Sequence, residues 1–411
     1  MARMKEAQFS SIIRKEFPAL ERLNFLDSAN QSLLPFSTLE KTREVLNWLA
    51  GLSSDISDFR SKLSTTCDQC RNEAASMINS DASEIALIEN TTFGMNLAIH
   101  LIDQVAGLNR GDNVVVPDID FLGIPVSLYG KVKLGAQIKW VKTVNGRVNA
   151  ESICESLDKT TKAVMLSSVQ ESNGFRVDLT RLSRALHEKN ILLAIDAIQH
   201  VGAMKFDAKK FDVDFAFLGG HKWLNAPFGV GLFYCNKKHL DHVSPLIYGY
   251  RNLKIPGGLR NYIQKPKRLP LLSPKFVRDA RKLEVGGTFN FLGVTGLHNS
   301  LRQKNAIGMT NIENKIHVLC DELIDELQRM NVGIQSHVSD KKERSGIISF
   351  RLNRSVNKDR ALVRKLVKRR NIVSFRMNLS SGGIRVSPHF FNESADIQGF
   401  IRTLKELYVQ N

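Results

Sequence analysis

Short apolar runs alternate with amphipathic segments along the chain from Glu84 onward. The runs are EIALIEN, DNVVVPD, KAVMLSSV, ILLAID, VDFAFL and GVGLFY, and several are too continuously apolar for a sheet with one face in water. Between them lie segments with helical periodicity, such as DLTRLSRALHEKN. This alternation predicts an α/β fold in which helices cover both faces of a mostly parallel sheet.

The pattern changes after LEVGGTFNFLGVTGLHNSL. A long helical segment, NIENKIHVLCDELIDELQRM, is followed by the strand-like pieces GIISFRL and NIVSF. We therefore predict three parts: an N-terminal helical segment over 1–24 that packs on the small domain, a large α/β domain over 25–290, and a small α+β domain over 291–411.

Composition narrows the class of protein. With 411 residues, 43% of them hydrophobic and 24% charged, the chain has globular composition. It shows no uninterrupted apolar run of about 18 residues and no secretory signal, so we expect no membrane span. The five cysteines are an odd number scattered along the chain, which predicts reduced thiols and a cytoplasmic location. Cys67 and Cys70 form a lone CxxC, which predicts two thiols on a helix and no metal site.

The formal net charge is +17, and the basic residues are clustered. Asp279 is the only acid among the many basic residues between Arg251 and Lys282, and a second basic run is NKDRALVRKLVKRRN. No aromatic-interleaved RNA motif, helix-turn-helix pattern or zinc finger accompanies them, which argues against nucleic acid as the partner. We expect the 251–282 segment to line the entrance of an active site and to favour an anionic substrate.

Polar and aromatic side chains follow the predicted strands where each one ends. These residues are Thr91, Thr92, Asp120, Phe121, Asp196, His221 and Lys222. Ligands of open parallel sheets collect at the carboxyl ends of the strands, so the sequence predicts a single site at this edge.

Asp196, Gln199 and Lys222 form a set with a specific chemical use. A pyridoxal phosphate enzyme needs a carboxylate to keep the pyridine nitrogen protonated, an amide to hold the ring hydroxyl, and an amine to form the Schiff base. An acid at the mouth of a buried strand also needs a cationic partner, which such a cofactor supplies.

The segment LLAIDAIQHVGAMKFDAKKFDVDFAFLGGHKWLNAPFGVGLFY resembles the signature of the class-V aminotransferases. This family of fold-type I pyridoxal phosphate enzymes includes cysteine desulfurases, kynureninase and isopenicillin N epimerase-like enzymes. The resemblance continues in the ordered blocks FLDSANQSLLP, IENTTFGMN, SSVQESNGFRVDL, LEVGGTFNF and IRVSPHFFN. It implies a fold-type I structure with a sheet of the seven-stranded type, pyridoxal 5'-phosphate as cofactor, and a homodimer with shared active sites.

The resemblance also implies a role for each matching residue. Lys222 would form the Schiff base and act as acid–base at Cα, Asp196 would pair with the pyridinium, and Gln199 would face the phenolic oxygen. Arg385 would clamp the substrate α-carboxylate, a bidentate task for which lysine does not serve. The other implied cofactor and substrate contacts are Thr91, Thr92 and His221 on the phosphate, Phe121 stacked on the ring, Thr288 on the phosphate of the neighbouring subunit, and Asn30 near the substrate.

The chain departs from the family pattern at three positions near the cofactor. Gly219 stands where serine is common, Phe93 where glutamate is frequent, and Ala226 where glycine is usual. LEVGGT is one residue longer than the commoner EAGT form. These departures imply weaker phosphate binding, while Asp196, Gln199 and Lys222 are intact.

The type of reaction is predicted from the segment RRNIVSFRMNLSSGG before Arg385. It contains no cysteine, which predicts that the chain is not a persulfide-forming cysteine desulfurase. SNGFRVDL and IRVSPHFFN resemble the isopenicillin N epimerase-like branch. That branch leaves epimerisation (an isomerase), carbon–sulfur lyase or β-elimination, decarboxylation and transamination open. The alternative from another class is a non-catalytic relative that binds a polyanion, against which the intact Asp196, Lys222 and Arg385 argue.

Overall fold

A computed structural model describes residues 12–52, 59–255, 258–264, 275–288, 290–352, 355–378 and 381–409. The strands are β1 (Asn24–Phe25), β2 (Ile85–Ile88), β3 (Asn113–Pro117), β4 (Gln137–Val141), β5 (Thr161–Ser167), β6 (Leu192–Asp196), β7 (Phe215–Gly219), β8 (Gly231–Cys235), β9 (Gly333–Ile334), β10 (Ile348–Arg351), β11 (Asn371–Ile372), β12 (Ser374–Asn378) and β13 (Ser381–Val386). The helices are α1 (Phe36–Leu49), α2 (Phe59–Ile78), α3 (Thr91–Ala106), α4 (Gly123–Ser127), α5 (Tyr129–Lys133), α6 (Ala150–Ser156), α7 (Leu179–His187), α8 (Ala208–Phe211), α9 (Lys237–Leu240), α10 (Gly258–Gln264), α11 (Phe291–Ile307), α12 (Met309–Arg329), α13 (Val356–Lys368) and α14 (Ser394–Val409).

The largest sheet has seven strands in the order β2-β8-β7-β6-β5-β3-β4. The pairs from β4 to β7 are parallel, and β8 runs antiparallel to both of its neighbours. Every residue of β3, β6 and β7 is buried. The predicted mostly parallel α/β sheet is therefore confirmed, and its continuous apolar strands follow from burial of both faces.

A second, four-stranded sheet has the order β12-β13-β10-β9 and is antiparallel throughout. Its core also contains Ile316 of α12, Leu366 of α13 and Phe400 of α14. The predicted division at 1–24, 25–290 and 291–411 remains a prediction. Residues 1–11 lie outside the described ranges, while α11 packs against α1 and α2 and places Leu297 in the core of the large sheet.

Two expectations from composition concern particular helices. Cys67 and Cys70 both lie on α2 with buried side chains, and burial raises the pKa of the Cys67 thiol to about 11. In the part of the chain that the structure describes, no helix combines the length and the apolar character needed to cross a membrane.

Asp214 anchors the large sheet at the edge where β7 begins. Its buried carboxylate accepts hydrogen bonds from His187 Nε2 at 3.0 Å, His239 Nε2 at 2.7 Å and the Leu193 amide at 2.8 Å, and Lys238 Nζ lies 2.8 Å away. Burial raises the pKa of Asp214, but the hydrogen bonds from His187, His239 and Lys238 outweigh it and hold the pKa well below its ordinary value. This carboxylate therefore stabilises the fold while it is ionised.

Replacing Asp214 with asparagine is expected to lower the free energy of unfolding by about 3 kcal/mol at neutral pH, because partners of a buried charge lose their counterion. Because the folded-state pKa is depressed, this stabilisation is complete above the unfolded pKa of about 3.9 and is lost as the pH falls below it. In denaturant unfolding measured from pH 7 to 3, the free energy of unfolding should thus fall less steeply with acid in D214N than in the wild type. Asp212→Asn is the matched control, because Asp212 contacts the same His187 at 3.1 Å but its side chain is 54% exposed. Equal losses in both variants would contradict this role.

Candidate active site

Asp196 and Lys222 lie at the carboxyl edge of the large sheet. Asp196 ends β6, is buried, and accepts one hydrogen bond from the Ile198 amide at 2.9 Å. Lys222 follows β7 in the neighbouring turn. Burial raises the pKa of Asp196 and lowers the pKa of Lys222, and the opposite charge of each partner counteracts both shifts. The charges of Asp196 and Lys222 therefore act on each other, while their roles with a cofactor remain predictions.

Gln199 is a buried link between this pair and the start of the chain. Its Nε2 donates to the Ala29 carbonyl at 2.9 Å, and its Oε1 accepts from Trp223 Nε1 at 2.8 Å. No hydrogen bond to another described residue uses its second N–H. That N–H fits the predicted task of facing a phenolic oxygen.

The predicted phosphate residues meet around Gly219. Thr91 is the first residue of α3, and its buried Oγ1 has no hydrogen-bond partner among the described residues. A Cβ at position 219 would lie 3.0 Å from His221 Nδ1 and 3.1 Å from Thr91 Oγ1. Thr92 is exposed on the same first turn, where free amides and the helix dipole favour an anion. Gly219 thus keeps open a cradle that a serine side chain would narrow.

These groups fit pyridoxal phosphate. The cradle offers an orphaned hydroxyl and a helix N-terminus, the edge of the sheet offers a buried carboxylate, and Lys222 offers an amine whose pKa is lowered, first of all by burial. Phe121 lies beyond the end of β3 and is 42% exposed, so part of it is open to contact with a ligand.

Arg385 on β13 is fully buried against groups from three parts of the chain. Its Nε donates to Ser374 Oγ at 3.2 Å, its Nη1 to the Glu171 carbonyl at 3.0 Å, and its Nη2 to Asp27 Oδ1 at 3.5 Å. Burial lowers the pKa of Arg385, and the Asp27 carboxylate raises it. The charge of Arg385 also lowers the pKa of Lys222, and the role of Arg385 as a carboxylate clamp remains a prediction.

Arg376 and Glu171 are site residues that the sequence reasoning missed. Arg376 lies two residues after Ser374 on β12, on the face that Ser374 shares with Arg385, and its Nη2 donates to Asn30 Oδ1 at 2.6 Å. Glu171 Oε2 lies 3.9 Å from Arg385 Nη1. Both charges shift the pKa of Lys222. The signal for Glu171 was available, because it follows the carboxyl end of β5.

Thr288 and the basic segment are not joined to this cluster. The Thr288 side chain is exposed, and its Oγ1 lies 3.5 Å from the hydroxyl of Tyr250. Lys265, Lys267 and Arg268 lie outside the described residues. The role of Thr288 in a neighbouring subunit and the role of segment 251–282 both remain predictions.

The proteins that this chain resembles in sequence and structure are named as cysteine desulfurases or as a cystine C-S lyase. A protein of Methanothermobacter thermautotrophicus named as a probable cysteine desulfurase is 25% identical over 96% of this chain and 97% of its own length. The apo structure of a cysteine desulfurase from Thermococcus onnurineus NA1 has a TM-score of 0.84 at 21% identity, covering 100% of both chains. A complex between the cystine C-S lyase C-DES and its product cysteine persulfide has a TM-score of 0.81 at 21% identity, covering 94% of this chain and 98% of the other.

The prediction that the chain is not a persulfide-forming cysteine desulfurase is wrong in view of these relatives. It rested on the absence of a cysteine from one segment before Arg385. Sulfur can pass to any thiol that reaches the substrate, including a thiol of another molecule, so this segment alone does not decide the reaction. The non-catalytic alternative is also dropped, because relatives that align along nearly the whole chain are named as enzymes.

The family model described as aminotransferase class-V matches residues 24–400. That range contains Asp196, Lys222 and Arg385, and the structural neighbours share the fold with its mostly parallel central sheet. The chain belongs to the class-V aminotransferase family and is a pyridoxal phosphate-dependent enzyme.

Proposed function

We propose that this enzyme breaks the carbon–sulfur bond of a cysteine- or cystine-type amino acid. The observation that carries the proposal is the cluster around Lys222, on whose charge both the buried Asp196 and the buried Arg385 act. This cluster supports binding of an amino acid by its carboxylate next to an amine. The relatives named as cysteine desulfurases and the cystine C-S lyase support the sulfur-containing substrate.

The cofactor would be held by groups from both strand ends and from α3. Asp196 would hold positive charge on the ring nitrogen, Gln199 would donate to the ring oxygen, and Phe121 would stack on the ring. Thr91, Thr92 and His221 would hold the phosphate; burial lowers the pKa of His221 to about 4, so His221 would act as a neutral hydrogen-bonding group. When bound, pyridoxal phosphate supplies an electrophilic ring that takes up the electron pair released at Cα.

Lys222 and Arg385 would handle the substrate. Arg385 would orient the α-carboxylate with a guanidinium that the protein already holds in place, and Lys222 Nζ would remove the proton from Cα. The lowered pKa of Lys222, caused first by burial, leaves more of its amine able to accept that proton. Arg376, whose charge lowers the pKa of Lys222, donates to Asn30 Oδ1, and both residues would contact the remainder of the substrate.

A homodimer with shared sites is part of this proposal. Thr288 is exposed and its hydroxyl lies 3.5 Å from that of Tyr250, so it is accessible to the phosphate bound by a second copy. Size-exclusion chromatography with light scattering tests the dimer. Mixing a Thr288→Ala subunit with a Lys222→Ala subunit tests whether the two sites are shared.

The first test is chemical labelling of Lys222. Purified protein saturated with pyridoxal phosphate should absorb visible light, lose that band on borohydride reduction, and carry the pyridoxyl mass on Lys222. Lys222→Ala should lose the label and more than about 10³-fold in turnover, because the amine both holds the cofactor and moves the proton. Lys237→Ala, at an exposed lysine on α9, is the control and should retain both.

The second test follows the sulfur and carbon products. Incubation with L-cysteine and with L-cystine should give alanine if the amino group is retained after sulfur leaves, or pyruvate and ammonia if the amino group is released. Cyanide treatment and peptide mapping would show whether a persulfide forms on one of the five cysteines or only on a small thiol. An absence of sulfur release, with only racemised or transaminated substrate, would overturn the carbon–sulfur proposal.

A further inference from the structure

Lys304 on α11 is a buried lysine that the proposed reaction does not use. It is 1% exposed, and no carboxylate in the described part of the chain forms an ion pair with it. Its Nζ donates to Asn225 Oδ1 at 2.6 Å, and the ring of Phe390 lies 4.3 Å away. Burial lowers the pKa of Lys304 well below its ordinary value. A buried amine without a counterion is destabilising unless its hydrogen bonds are satisfied.

The contact of Lys304 with His389 indicates which protons are present. His389 Nδ1 accepts from the Phe390 amide at 2.8 Å, so the ring proton lies on Nε2, which donates to the Trp223 carbonyl at 3.0 Å. Lys304 Nζ lies 3.3 Å from that protonated nitrogen. An ammonium would find no acceptor there, whereas the lone pair of a neutral amine can share the Nε2 proton that also points to the Trp223 carbonyl. The geometry therefore fits Lys304 as a neutral amine that both donates and accepts.

Both partners of Lys304 act on the turn that carries Lys222: Asn225 belongs to that turn, and His389 hydrogen-bonds to its backbone. The Asn225 amide donates to the Lys222 carbonyl at 3.0 Å, and Asn225 adopts a left-handed conformation with φ +55°. The Asn225 side chain also donates to Ser32 Oγ at 2.7 Å. His389 holds the carbonyl of Trp223, the residue directly after Lys222. Lys304 on α11 thus reaches the reactive turn directly at Asn225 and indirectly through His389.

We propose that Lys304 is a positioning residue for Lys222, fixing the 222–225 turn through Asn225 and His389 as a neutral donor and acceptor. This inference rests on the proposed function, because Lys222 is the residue that Lys304 would position. Lys304 itself would not contact the substrate. A methionine of similar length would fill the same volume without a polar group. Packing alone therefore does not require a lysine at this position, whereas the hydrogen bonds to Asn225 and His389 do.

The experiment compares Lys304→Met with Lys304→Gln. Methionine removes both hydrogen bonds, whereas glutamine restores a donor for Asn225 and an acceptor for His389 but can never carry a charge. In cofactor-free protein, hydrogen exchange of the peptide spanning 221–226 should become about five- to tenfold faster in K304M, in keeping with the loss of a hydrogen bond. K304Q should stay within about twofold of the wild type, since it replaces that bond.

The loaded enzyme gives a second readout. K304M should lower kcat by a similar factor and shift the pH at which the visible band of the bound cofactor changes, while KM stays unchanged because Arg385 is not affected. Unchanged exchange in K304M, or equal impairment of both variants, would overturn the inference. Failure of wild-type labelling at Lys222 would instead refute the proposed function, and the exchange result in cofactor-free protein would still stand.

Discussion

Asp196→Asn is expected to lower kcat/KM for the sulfur-containing substrate by about 10²- to 10³-fold, the range for losing one charge of a buried pair. The carboxylate is buried and accepts one protein hydrogen bond, from Ile198, so it is available to stabilise positive charge at the ring nitrogen. An amide of the same shape keeps the hydrogen bond but loses the charge. The electron-accepting ability of the cofactor should fall accordingly.

The same substitution makes a prediction about pH. The Asp196 charge raises the pKa of Lys222, so its removal should lower that pKa further. In cofactor-free protein, the pH dependence of the rate at which Lys222 captures pyridoxal phosphate should accordingly shift to lower pH in D196N. Asp214→Asn is the matched control, since it removes a buried carboxylate from the opposite edge of the sheet and should reduce stability without changing kcat. Full activity in D196N would contradict the role given to Asp196.

The large sheet and the edge that holds the site could be predicted because the information is local. Continuous apolar runs mark strands buried on both faces, and Asp196 and Lys222 directly follow two such runs. Parallel strands bring these ends together regardless of the detailed packing. The helix that begins at Thr91 could be predicted for the same reason, since the chain passes there from an apolar strand to a helical pattern.

The remaining site residues depend on contacts between distant segments. The charges of Arg376 and Glu171 act on Lys222 because the small sheet packs against the loop after β5, and nothing local in SFRMN indicates this for Arg376. Lys304 reads as an ordinary polar helix position, yet α11 buries it. Gly219 looked like a lost phosphate ligand, whereas the structure shows that a Cβ there would crowd His221 and Thr91. The effect of Gly219 depends on its distances from His221 and Thr91, which the sequence pattern does not give.

Arg385→Lys is expected to lower kcat/KM for cysteine by about 10²- to 10³-fold, mainly through KM, because lysine cannot present the two parallel N–H groups that a carboxylate accepts. Arg385 is fully buried and already oriented by Ser374 and the Glu171 carbonyl. Lysine would keep the charge but lose that orientation. The Arg385→Lys substitution therefore tests the geometry of the guanidinium separately from its positive charge.

Cysteamine, which lacks the α-carboxylate, makes this test specific. The wild type should bind cysteine far better than cysteamine, measured by the change in the visible band, and R385K should lose most of that preference. Arg344→Lys is the matched control: Arg344 is a buried arginine that forms an ion pair with Asp321 on α12, so the change should affect stability and leave the preference intact. If R385K still prefers cysteine as strongly as the wild type does, Arg385 is not the carboxylate clamp. Arg376, the other arginine whose charge acts on Lys222, would then be the residue to replace next.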